Sequence, residues 1–235
     1  MKLLAIDTST HACSAALLID GEIQQRFEIT PKAHTKLLLP MVDSLLKEAD
    51  IKLTQLDALA FGCGPGSFTG LRIATGVVQG LAFGADLPVV PVSTLAALAQ
   101  QYSTMALSFV AMDARIGEVF WGVYEKNTEG FVELIGEEVV AHVNNLIFPL
   151  RHAAGIGSGW AVYENELSAH TQGWVLHIEH DVLPQASTIA MLGVRGFHQG
   201  RVVCAEDAQP VYLRDKVAQT EIERKNAKLN VENTR

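Results

Sequence analysis

The element order βββαβαβα is spelled twice in these 235 residues, and that duplication constrains the fold more than any single segment. In the first half, residues 3–7, 12–19 and 22–29 are apolar or alternating runs bounded by polar positions. Asp20-Gly21, between the second and third runs, is a two-residue hairpin signal, because a type I′ turn takes positive φ at both positions. A helix is predicted over 34–49, a strand over 56–62, a second helix, a strand over 88–92 and a helix from about Ser93. The second half repeats the order. Strands are predicted at 108–113, 118–124 and 131–140, a short helix at 143–150 and a strand at 153–157. A helical segment at 162–170, a strand at 174–180 and a helix over 187–197 complete it. A three-strand meander closed by βαβ crossovers makes a layered α/β fold. Two such lobes facing each other define a cleft, the usual place for a ligand. The expected division is an N-terminal lobe, 1–104, a C-terminal lobe, 105–214, and a polar tail, 215–235, which reads as mobile or frayed.

The strongest functional signal lies between residues 61 and 84. A strand ends in the glycine-rich run Gly62-Cys-Gly-Pro-Gly-Ser67, and the helix that follows is apolar almost all round. At about 100° per residue, Gly76, Gly80 and Gly84 line one side beside Ile73, Val77 and Phe83. Only Arg72, Thr75 and Gln79 form a polar edge. So little polar surface calls for burial on more than one side. Each interior glycine costs roughly 1 kcal/mol relative to alanine, a cost that close packing would offset. Either this is a central core helix, or one side packs its own sheet and the glycine side receives another protein. The first predicted helix favours the second reading. Its apolar residues, among them Leu37, Leu38, Met41, Val42 and Leu45, spread over roughly 200°, wider than the stripe of about 100° that one core face needs. Pro40 comes just after its first turn and removes only one early hydrogen bond.

Composition excludes several classes. A hydrophobic fraction of 49% against 19% charged describes a chain with ample core. A net charge of −8 argues against this chain alone gripping a nucleic-acid backbone, which takes clustered Lys and Arg. Cys13, Cys63 and Cys204 are far apart and form no CxxC pair, so neither a disulfide framework nor a zinc knuckle is expected. No run of about 20 apolar residues reaches across a membrane. Asp7 also cuts the opening apolar run too short for a signal peptide. The expected location is the cytoplasm.

Four segments then come together: Leu4-Ala-Ile-Asp-Thr-Ser9, Gly62-Cys-Gly-Pro-Gly-Ser-Phe-Thr-Gly-Leu-Arg72, Met112-Asp-Ala-Arg-Ile-Gly-Glu-Val-Phe120 and Pro210-Val-Tyr-Leu-Arg214. They resemble the TsaB family, the glycoprotease-like bacterial partner subunits in making threonylcarbamoyladenosine on tRNA. The resemblance runs to about Lys216. It implies a duplicated fold of the actin, Hsp70 and sugar-kinase type. It also implies a non-catalytic role: binding and activating a metal-containing sister subunit, TsaD, alongside a TsaE-type ATPase. tRNA would then be met only through the complex, at the adenosine next to the anticodon. The candidate interface is Leu38, Met41, Leu45, Ile73, Gly76, Val77, Gly80, Phe83 and Gly84. The same face is expected to pair with a second copy when the sister is absent. No cofactor is expected in the isolated chain; ATP or ADP belongs to the complex.

Two enzymatic readings compete with this one. In the sister subunit, a His-x-x-x-His pair on the first helix holds the metal, since imidazoles one turn apart point the same way. Here the matching segment runs from His34 to Leu38, so the second ligand is missing and His34 is expected to cap or pack. His177 and His180 fall on opposite faces of a predicted strand, and no HExxH occurs. A metalloprotease is therefore disfavoured. An ATP-dependent phosphotransferase of this fold would place phosphates near Asp7, Thr8 and Asp113, with adenosine near Gly155 and Gly157. Ala114, Arg115 and Ile116 are bulky where close backbone approach is wanted. The cleft reads as an eroded remnant. Gly64-Pro-Gly-Ser67 lacks the Lys-Ser/Thr of a phosphate loop, so Ser67 or Thr69 is expected to cap the helix. Ser158 lies in no nucleophile elbow, and Cys63 has no local base.

Overall fold

A computed structural model describes residues 1–102 and 104–214; the polar tail expected at 215–235 lies outside the described residues. Two five-stranded sheets of the same topology form the scaffold. The first contains β1 (Lys2–Asp7), β2 (Ala12–Ile19), β3 (Glu22–Ile29), β4 (Ala58–Gly64) and β5 (Val89–Ser93), in the order β3-β2-β1-β4-β5. The meander pairs antiparallel, and β1-β4-β5 pair parallel. In the second sheet, β6 (Leu107–Arg115), β7 (Glu118–Lys126), β8 (Val132–His142), β9 (Ala153–Ile156) and β10 (Val175–Glu179) repeat that order as β8-β7-β6-β9-β10. This is the duplicated α/β architecture expected from the sequence. The hairpin at Asp20-Gly21 has φ of 48° and 95°, as a type I′ turn requires.

On one face of the first sheet lie α1 (His34–Glu48) and α2 (Phe68–Ala85), sealing a core of Leu4, Ile6, Leu17, Leu59 and Phe61. Its other face is covered by α6 (Ala186–His198), the last helix of the second half. The reverse holds for α3 (Thr94–Tyr102): it follows the first sheet in sequence, yet Leu95, Leu98 and Ala99 pack on Val110, Met112, Ala154 and Ile156 of the second. The far face of the second sheet is closed by α4 (Ser158–Val162) and α5 (Glu164–Thr171) over Phe109, Trp121 and Trp160. The two halves therefore exchange their closing helices.

This corrects the expected boundary. The sheets divide between Ser93 and Leu107 as read from the sequence, but residues from Ala186 onward belong with the first lobe. In α6, a Cβ on Gly193 would lie 2.8 Å from Ala60 Cβ, and one on Gly196 would lie 2.7 Å from Val90 Cγ1. The helix approaches β4 and β5 too closely for side chains at those positions. The chain then bridges Val203 to Val89, and Val211 N–H donates to Cys63 O at 2.7 Å. An apolar stripe declares that a helix is half-buried; it does not say which sheet buries it.

The helix expected at 143–150 is only a 3₁₀ turn, Val143–Asn145. Asn144, Asn145 and Pro149 supply poor helix propensity there. The segment expected at 162–170 begins earlier and breaks at Tyr163 into two short helices. Among the described residues no helix is long and apolar enough to cross a membrane.

Candidate functional site

The glycine-rich run serves close approach of backbones. A Cβ on Gly70 would lie 1.9 Å from Thr8 O, and one on Gly66 would lie 2.4 Å from Ser9 O. Ser67 N–H donates to Ser9 O at 2.7 Å, and Thr8 Oγ1 donates to Gly70 O at 2.7 Å. The loop between β4 and α2 is thereby pinned to the end of β1. Ser67 caps α2, its Oγ accepting from Gly70 N–H at 3.3 Å.

From that cap, α2 divides its apolar surface in two. Leu71, Ala74, Val78 and Ala82 are buried against the sheet. Gly76, Gly80 and Gly84 lie on the outer side, where a Cβ on any of them would meet no atom outside the helix's own backbone within 4 Å among the described residues. Phe83 beside them is 82% exposed. Ile73, Val77 and Met41 are half-buried and border this stripe with their inner edges on the core. The expected polar edge is occupied by the returning C-terminal segment: Gln79 donates to Ala208 O at 2.9 Å, and Arg72 Nε donates to Tyr212 Oη at 3.2 Å.

Two candidate interface residues are corrected. Leu38 and Leu45 are 0% exposed and lie in the core beneath α1. The wide apolar arc of that helix is split by its sheet, and the part left outside centres on Leu39 instead. A charge at residue 45 would disrupt the fold, so it cannot test association.

Between the lobes runs a cleft of about 980 Å³. Asp7 and Thr8, expected on its wall, are 0% exposed and contribute nothing to its lining. Asp7 Oδ1 accepts from Ser9 N–H at 3.2 Å and Ser9 Oγ at 3.0 Å, while Oδ2 has no partner among the described residues. Burial pushes its carboxyl up to about 7. Gly155 and Gly157 are also off the wall. The Trp160 indole fills the space beside Gly155, where a Cβ would lie 2.7 Å from Cε2. Gly157 abuts Ala111 O at 2.5 Å from a Cβ position, with φ at 106°. Both glycines serve strand-to-helix packing.

Asp113 alone of the expected cleft residues faces the space. Its Oδ1 accepts from Arg115 N–H at 2.8 Å, and its Oδ2 lies 3.3 Å from the Arg115 guanidinium. The walls otherwise carry Lys32, Arg115 and Arg214, with His11 and His34. Arg214 donates to Ala114 O at 2.9 Å and pairs with Glu118. Sequence reasoning missed this cationic lining, because its members come from separate loops with no shared spacing.

His34 is buried and packs as expected, with Nε2 3.1 Å from Thr10 O and 3.2 Å from Ala12 O. Burial pushes the thiols of Cys13 and Cys63 up to about 12, so neither is a ready nucleophile. Across the lobes, the hydroxyls of Ser93 and Tyr124 both donate to Glu138 Oε1. Burial raises the Glu138 carboxyl and, more strongly, the Tyr124 phenol. Ser93 Oγ also accepts from Leu95 and Ala96 N–H at 3.1 and 3.2 Å, so one hydroxyl caps α3 and latches it to the second sheet.

Residues 27–222 match the family model described as TsaD: tRNA N6-adenosine threonylcarbamoyltransferase. Two relatives named tRNA threonylcarbamoyladenosine biosynthesis protein TsaB, from Escherichia coli (strain K12) and Haemophilus influenzae, are each 40% identical to the chain. The matches cover 93% and 92% of this chain and 96% and 95% of theirs. Two solved Pseudomonas aeruginosa structures align at 42% identity: YeaZ, and an uncharacterized protein described as similar to peptidase YeaZ. Their TM-scores are 0.83 and 0.84; 90% and 91% of this chain and 99% of each of theirs are covered.

Proposed function

The chain belongs to the TsaB family of tRNA threonylcarbamoyladenosine biosynthesis proteins, and from that premise we propose that it is the non-catalytic subunit that binds and activates a TsaD-type sister. The observation that carries this reading is the outer stripe of α2. Three glycines with open space before them and a largely exposed Phe83 form a notch and a knob on one helix face. Glycines let helix backbones approach closely, and a homologous helix pair would complete a four-helix arrangement with α1 and α2. When the sister is absent, the same face pairs with a second copy by two-fold symmetry. A TsaE-type ATPase, tRNA, and ATP or ADP join through the complex, in the cytoplasm.

The phosphotransferase reading is disfavoured by two features. Asp7 is sealed from the cleft, and Asp113 is tied to its own Arg115. The peptidase reading is disfavoured by His34, whose ring nitrogen is spent on two backbone carbonyls. Mixing the chain with a TsaD-type subunit and measuring complex mass tests the proposal. A one-to-one assembly is expected for the wild type and its loss for Gly80→Leu. No assembly by the wild type, or an undiminished one by the variant, would overturn it.

A further inference from the structure

We infer that the rim of the cleft at the start of α2 is an RNA-binding surface that takes unpaired nucleotides of the tRNA anticodon loop in the assembled complex; this rests on the functional reading above. Phe68 and Tyr212 are 49% and 44% exposed, with ring centroids 5.6 Å apart and planes tilted by 38°. The Arg72 guanidinium lies 3.7 Å over the Phe68 ring and also donates to Tyr212 Oη, so one cation stiffens both rings. The guanidinium already stacks on Phe68, and the exposed remainder of the two rings forms a pre-ordered platform at the cleft rim. Phe68 also lines the cleft, whose walls hold Lys32, Arg115 and Arg214.

Charge separates RNA from a protein occupant. The whole chain carries −8, yet here cations gather. The two neighbouring carboxylates, Asp113 and Glu118, are already engaged by Arg115 and Arg214. Lys32 and Arg72 pair with no carboxylate among the described residues, and Arg115 is 86% exposed beyond its contact. Aromatic faces stack on any splayed base, and surrounding Lys and Arg follow the phosphates. Phe68 lies about 80° to 160° round α2 from Gly76, Gly80 and Gly84 at helical spacing, so the platform lies to one side of the glycine stripe.

The test uses the full chain assembled with TsaD-type and TsaE-type subunits and an anticodon stem-loop RNA, with complex mass measured first. Phe68→Ala and Tyr212→Ala are each expected to weaken RNA binding by about tenfold or more, with subunit assembly unchanged. Lys32→Gln and Arg115→Gln are each expected to reduce the slope of log affinity against log salt by about 0.7. RNA affinity and salt slope indifferent to all four substitutions would overturn the inference while leaving the functional reading intact. Loss of subunit assembly in the aromatic variants would assign the platform to a protein partner and overturn it too. Failure of the wild-type subunits to assemble is a separate result that overturns the functional reading and, with it, this inference.

Discussion

Asp7 and Gly62 face each other at the ends of β1 and β4 so closely that a Cβ on the glycine would lie 2.0 Å from Asp7 Oδ2. The missing side chain is what lets a carboxyl sit wholly inside the sheet. Its proton is held to about 7 because burial disfavours the charge, whereas a carboxyl of this type ordinarily titrates near 3.8. Between those values the folded state carries the extra proton. The stabilisation is therefore full below the lower value and is lost as pH rises through the upper one. Carboxylates lowered by ion pairs, such as Glu48 and Glu133, act with the opposite sign and at lower pH, whereas Glu138, raised by burial, adds to the decline. Thermal stability is expected to fall between about pH 4 and pH 7, and Asp7→Asn, which keeps the acceptor for Ser9, should flatten the decline by on the order of a few kcal/mol. Melting curves across that range measure it; equal slopes in both proteins would refute the assignment.

Stability and association are expected to move in opposite directions at Gly80. The site is helical and a Cβ there meets no other element among the described residues, so Gly80→Ala should stabilise the isolated chain by about 0.5–1 kcal/mol. The same methyl group blocks close approach of a partner backbone. A higher melting temperature together with a weaker complex is the expected pair of results, read by calorimetry and by titration with a TsaD-type subunit.

Phe83 and Leu45 should separate cleanly. Phe83→Ser removes a side chain that is 82% exposed, so the melting temperature should hold while complex formation suffers. Leu45→Ala empties a fully buried position and should cost about 2–5 kcal/mol. Denaturant melts of the isolated variants, followed by mass measurement with the sister, would show both effects.

The β6–β7 hairpin contains Ile116 at φ 59° before Gly117 at φ 76°. A β-branched residue is strained there, and the left-handed region costs an L-residue about 1–2 kcal/mol. Ile116 is 79% exposed, so its replacement forfeits little burial. Ile116→Asn, which creates an Asn-Gly turn, should stabilise the protein by about 1 kcal/mol. An unchanged or lowered unfolding midpoint would contradict this.

Most of the scaffold was legible because its signals are local. Asp20-Gly21 fixes one hairpin, and alternating strand and helix periods fix the crossovers, so both sheets follow. What escaped depends on contacts distant in sequence. The arc of α1 gave the amount of apolar surface to cover, but only the sheet decides that Leu38 and Leu45 point inward and Leu39 outward. Asp7 ends a strand, where a cleft-facing carboxylate is natural, yet Gly62 on a neighbouring strand opens the space that swallows it. Gly155 resembles a nucleotide-binding glycine until Trp160 is seen lying against it. The stripe of Gly76, Gly80 and Gly84 was readable because all three sit on one helix with one period.

Because α3 seals the sheet that follows it and α6 returns to seal the one that began the chain, neither half is a self-sufficient folding unit. Cutting the backbone near Thr104 would give two fragments, each lacking the helix that closes its own sheet and each carrying the helix the other needs. Such fragments should stay molten apart and reconstitute only on mixing. The duplication seen in topology is thus a single cooperative object in energetics.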